Sequence, residues 1–115
     1  MSLAQVGGTR SFNSAQDQNK ATVIGTPCLL FNIIAFNGGN AASFIQFFDA
    51  LAVNVTVGST APTFVVGLPT GGGANIFLNL PEKFSIGIVV ACTATATGNG
   101  APNVAATLEL GYVGG

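Results

Sequence analysis

From residue 21 onward the chain is a succession of short apolar or alternating segments, each closed by glycine or proline at intervals of about ten residues. No segment keeps apolar residues at the three-and-four spacing of a helix, so the pattern predicts strands throughout. They are expected over residues 22–25, 28–37, 43–49, 53–57, 63–68, 75–80, 84–95 and 104–113. Gly38-Gly39, the stretch from Gly58 to Pro62, Gly71 to Gly73 after Pro69, and Gly98 to Pro102 supply the positive or fixed φ angles at which a chain reverses. Eight strands predict an all-β, antiparallel β-sandwich of jelly-roll type, with two four-stranded sheets packed face to face. This body covers residues 21–115. Residues 1–20, with Gly7-Gly8 and a run of Ser, Asn and Gln, are read as an extended N-terminal arm.

Alternation within the strands separates ordinary from unusual ones. In 104–113, Val104, Ala106, Leu108, Leu110 and Tyr112 share one face and Ala105, Thr107 and Glu109 the other, as in a sandwich strand with one face in the core. The same reading places Ile76, Leu78 and Leu80 on one face of their strand, and Phe84, Ile86, Ile88, Val90 and Cys92 on one face of theirs. Segment 28–37 differs, because Leu29, Phe31, Ile33 and Ala35 alternate with Leu30, Ile34 and Phe36. Segment 43–49 repeats this, with Phe44 and Phe48 opposite Ile45 and Phe47. A strand apolar on both faces is covered on both, either by the chain's own loops or by a neighbouring subunit. The second reading makes Leu30, Ile34, Phe36, Ile45 and Phe47 a self-association face.

Charge sharpens the expectation of an assembly. Only seven of the 115 residues are charged, and Asp49 is the sole charge between Lys20 and Glu82. Soluble domains usually carry about one-quarter charged residues. Copies of such a chain repel one another weakly, and its edge strands have few lysines with which to block pairing. Arg10, Lys20 and Lys83 are the only cations, too few and too scattered for phosphate, so no nucleic-acid partner is expected. The apolar runs are too short for a membrane-spanning helix. Residues 1–20 lack the basic start and continuous apolar stretch of a secretory leader, which predicts synthesis in a cytoplasm.

The chemistry-bearing residues are sparse. There is no histidine, and Asp17, Asp49, Glu82 and Glu109 are isolated from one another in sequence, which leaves no base or acid pair for catalysis. Cys28 and Cys92 have no metal-ligand spacing; they read as buried thiols or as a long-range disulfide. No catalytic, cofactor or metal site is expected. Asp49, ending a strand, is read as the cap of a turn.

The order LLFNIIAFN, FIQFFDALA, VGSTAP, VGLPTGGG, EKFSIGIVVACTATATGNGAP and LELGYV, over residues 21–113, resembles small all-β proteins encoded beside the capsid genes of tailed bacteriophages. The resemblance implies a virion structural protein: a cement or decoration protein on the outside of an HK97-type capsid, bound to the major capsid protein and stabilising it. The capsid surface is then its location and a homo-oligomer, a trimer rather than a dimer, its expected state. The resemblance carries no binding residue; it is the composition of residues 1–20 that makes them the expected docking arm, with Val6, Arg10, Phe12 and Lys20 as its contacts to the shell. A head-fibre or tail-tip host-attachment module and a secreted lectin-like domain are the alternative readings.

Overall fold

A computed structural model describes residues 9–114. Eight strands are present: β1 (Thr9–Gln16), β2 (Ala21–Ile24), β3 (Cys28–Phe36), β4 (Ser43–Asp49), β5 (Phe64–Leu68), β6 (Gly73–Phe84), β7 (Ile88–Thr93) and β8 (Ala106–Gly114). They form two antiparallel four-stranded sheets in the orders β1-β8-β3-β6 and β2-β7-β4-β5. Successive strands alternate between the sheets except at the β4–β5 hairpin, which is jelly-roll connectivity. The core between the sheets contains Leu30, Ile33, Ile45, Phe47, Phe84 and Leu110, each at most 1% exposed. On β8 the expected alternation holds, with Ala106, Leu108, Leu110 and Tyr112 facing the core.

Three expected boundaries move. Thr9–Gln16 is an edge strand and not part of an arm; its backbone pairs with β8 from Thr9 opposite Val113 to Gln16 opposite Ala106. Its composition hides this because an edge strand is held mainly by the ladder, here helped by one apolar side chain, Phe12, packed on the core. Segment 53–57 is not a strand. Ala52–Asn54 is a 3₁₀ turn, and Val55 is buried while Val53 is 84% exposed, so a loop packed on a sheet mimics strand alternation. Residues 84–95 are divided: Phe84 ends β6, residues 85–87 turn, and β7 begins at Ile88.

The loops are tied by buried polar groups. Asn37, 1% exposed, donates from Nδ2 to Ala41 O at 2.8 Å and accepts the Gly39 N–H on Oδ1 at 2.9 Å. The same Nδ2 lies 3.4 Å from Leu68 O, which joins the loop after β3 to the end of β5. At the β1–β2 crossover, Gln16 Nε2 donates to Asn19 O at 2.8 Å, and Asp17 O accepts the Cys92 N–H at 2.8 Å. These bonds satisfy groups that would otherwise be costly to bury.

Candidate functional site

The outward faces of the two sheets are treated differently. On the β2-β7-β4-β5 sheet the outer face is closed by the chain itself. Phe48, Val89 and Ala91 point away from the main core into a second small core with Val55, packed by Ala50, Ala52 and Val57. Lys20 holds this cover in place, its Nζ donating to Ala52 O at 2.7 Å and also to Val55 O. The loop after β7 covers the rest: Gln46 Nε2 donates to Thr93 Oγ1 at 2.7 Å and to Gly98 O at 3.0 Å. The chain's own loops therefore explain why segment 43–49 is apolar on both faces.

On the β1-β8-β3-β6 sheet no loop among the described residues covers the outer face. Leu29, Ile34, Phe36 and Phe77 are exposed there, the last two at 51% and 69%. The face arises from an irregularity in β3. Pairing runs Leu30 opposite Tyr112, then Asn32 opposite Gly111, so Phe31 is an extra residue, a β-bulge that reverses the inward and outward parity of the later residues of the strand. Before the bulge Cys28 and Leu30 face the core; after it Ile33 and Ala35 do. Phe31 turns outward, meets Phe77 edge-on with ring centroids 6.4 Å apart, and lies over Gly111. A Cβ at Gly111 would stand 3.1 Å from the Phe31 ring, so glycine at that position makes room for it.

The bare face carries two shallow depressions on either side of Glu109. One, of about 520 Å³, is lined by Asn13, Ala15, Ile34, Phe36, Thr107 and Glu109. The other, of about 330 Å³, is lined by Arg10, Ser11, Phe31, Asn32, Glu109 and Gly111. Both are lined by apolar and neutral polar side chains with few charges.

Comparison with protein-family models, characterised proteins and solved structures finds no match. The site therefore rests on the geometry of this chain.

The residues expected to form a self-association face are divided by that geometry. Leu30, Ile45 and Phe47 are fully buried in the core and unavailable to a partner; Ile34 and Phe36 remain on the bare face. Two causes act: the bulge at Phe31 breaks the alternation that grouped Leu30 with Ile34 and Phe36, and β4 lies in the opposite sheet from β3 rather than in a hairpin with it, so Ile45 and Phe47 face the core between the sheets. Of the docking-arm residues, Phe12 packs on the core and Lys20 is bound to the chain's own carbonyls. Arg10 lies on β1 at the margin of the bare face, and Val6 falls outside the described residues. Phe77 and Leu29 complete the surface. Phe77 falls on the polar side of its strand in the sequence reading, and no local signal marks it as part of a site.

Asp49 caps a turn, as its position suggests, but the turn belongs to the other sheet's connection. Its carboxylate accepts the backbone N–H groups of Ser85, Ile86 and Gly87 between β6 and β7. Burial pushes the carboxyl up, but the three N–H bonds outweigh this and hold it below the ordinary carboxylate range. Cys28 and Cys92 are both buried and unbonded. Burial raises both thiols, with a smaller upward push on Cys28 from Asp49. Among the described residues no three His, Cys, Asp or Glu side chains gather as metal ligands.

Proposed function

We propose that this chain is a structural protein of a bacteriophage virion, a cement protein that binds the outside of the capsid through the bare face of its β1-β8-β3-β6 sheet. The observation carrying this reading is the contrast between the two sheets. One outer face is sealed by the chain's own loops with a second small core, while the other keeps Leu29, Ile34, Phe36 and Phe77 exposed. A chain able to cover one face and leaving the other apolar has a partner for it. The order of turn and core motifs along residues 21–113, which resembles capsid-associated phage proteins, supplies the kind of partner.

The mechanism is stabilisation by mass action. A ligand that binds the assembled, expanded shell and not its separated subunits shifts the equilibrium toward the shell by about 2.7 kcal/mol per site at one hundred times its dissociation constant. Repetition over a lattice lets each contact be modest. The rigid sandwich presents a preformed surface, so binding orders little of the chain. The test is the protein content of purified virions, with titration onto expanded and unexpanded capsids. Many copies per virion, and binding that requires the expanded lattice, are expected; absence from virions, or a few copies at one vertex or on the tail, would overturn the proposal.

A further inference from the structure

Among the described residues, one of the two lateral sides of the sandwich is tied shut and the other is open. At the β1–β2 side the crossover is drawn onto β7 by the bond between the Cys92 N–H and Asp17 O. At the β5–β6 side a largely apolar cleft of about 250 Å³ opens between the sheets, lined by Ile33, Phe64, Val66, Ile76, Leu78 and Leu80 and by one charged residue, Glu82. It leads directly to the core, since Phe64 stacks on the buried Phe47 with ring centroids 4.5 Å apart.

The strand beside the cleft is unprotected. β6 is the longest strand, with 12 residues, and is an outer strand of its sheet. It has no charge from Gly73 to Pro81; Glu82 and Lys83 lie near one end. Edge strands are ordinarily blunted by charges along their length. Here Phe77 is exposed on one face and Ile76 and Leu78 line the cleft on the other. The pairing with β3 breaks after Phe77, and the residues beyond it bulge, leaving Leu80 87% exposed at the lip of the cleft.

We propose that the β5–β6 side is the seat of a second copy of this chain, with two molecules side by side about a two-fold axis, their β6 edges antiparallel and their clefts facing each other. An edge strand is complementary to itself only in this antiparallel arrangement, so the contact makes a dimer, not the trimer expected from sequence. Charge fits the arrangement. With the axis near Phe77, Glu82 and Lys83 of each copy lie opposite the glycines at 71–73 of the other, and no like charges meet. Area sets the strength of the contact. A side wall roughly 40 Å long, from twelve residues at about 3.4 Å each, and roughly 10 Å deep, the spacing of packed sheets, offers about 400 Å² per copy. The pair then buries about 800 Å², the size of a weak and reversible contact.

Sedimentation velocity of the full chain over a concentration series tests this, alongside the double variant Asn79→Lys, Leu80→Lys, whose positions are exposed. The expected result is a dimer whose dissociation constant rises at least about tenfold in the variant, with an unchanged unfolding midpoint. Phe77→Cys is expected to form an interchain disulfide much faster than Val53→Cys, which is 84% exposed on the opposite sheet's cover. A monomer at every concentration, a trimer, or equal crosslinking rates would overturn the proposal. Capsid binding by the lysine variant reads the two proposals separately: it is retained if the bare face docks, whatever happens to the dimer.

Discussion

Asp49 Oδ1 accepts the Ile86 N–H at 2.8 Å, joining the end of β4 in one sheet to the turn that leaves β6 in the other. Ser85 donates to Oδ2 at 3.0 Å and Gly87 to Oδ1 at 3.3 Å, so three successive N–H groups of one turn converge on one carboxylate. The charged form is the one these bonds favour. Because the carboxyl lies below its ordinary value in the folded chain, its stabilisation is present above about pH 4 and is lost as pH falls through the lowered folded value. Asp49→Asn is expected to destabilise the fold near neutral pH and to cost progressively less as the pH falls through the lowered folded value, since protonation removes the charge from the native carboxyl as well. Urea unfolding of both proteins across that pH range measures the difference; an equal cost throughout would remove the charge from the account.

The asymmetry of the two outer faces is open to a paired substitution. Phe48 and Phe36 both point away from the main core, but Phe48 is 1% exposed beneath the chain's own loop and Phe36 is 51% exposed. Phe48→Ala is expected to destabilise the fold by about 3 kcal/mol or more, the cost of emptying a closed core site. Phe36→Ala is expected to cost under about 1 kcal/mol, since much of its surface is already in water. Denaturant midpoints decide, and similar values for the two would mean that both faces are alike.

Charge placed on the bare face separates docking from folding. Phe36→Asp and Phe77→Asp are each expected to change stability by no more than about 1 kcal/mol. Each is also expected to weaken binding to expanded capsids at least about tenfold, because a carboxylate is then desolvated without a partner. Co-sedimentation with capsids supplies the measurement. Binding by both variants at native strength would exclude this face.

Cys28 and Cys92 sit in the main core without a bond between them, and burial raises both thiols. A thiol reagent at neutral pH is therefore expected to modify neither in the folded protein and both in denaturant, with a native rate limited by opening of the fold. Rapid modification of either native thiol, or a mobility change on reduction, would contradict the packing.

The legible part of the architecture is the part written in local pattern. The two-residue period of β8, from Ala106 to Tyr112, places its core side chains directly, because the strand is regular and one of its faces meets solvent. The cap at Asp49 is legible in kind, since a carboxylate at the end of a strand seeks N–H groups, although its partners lie more than thirty residues away. β1 is obscured because an edge strand with a single inward phenylalanine is held by its backbone ladder, which leaves little trace in composition. Segment 53–57 misleads for the opposite reason: Val55 is buried in a loop that runs along a sheet surface, and the resulting alternation is a product of packing.

The amino-acid sequence by itself determined an all-β chain poor in charge, the approximate places of seven of the eight strands, and two segments with apolar residues on both faces. Those properties arise from period, turn residues and composition, which act between neighbours along the chain. Tertiary structure decided what supplies the cover. The extra residue at Phe31 sends Leu30 inward and Ile34 and Phe36 outward, and the loops after β4 and β7 seal one sheet while the other stays bare. A bulge is fixed by the partner strand and a covering loop by contacts formed only when the chain has folded, so the identity of the bare face exists only in three dimensions.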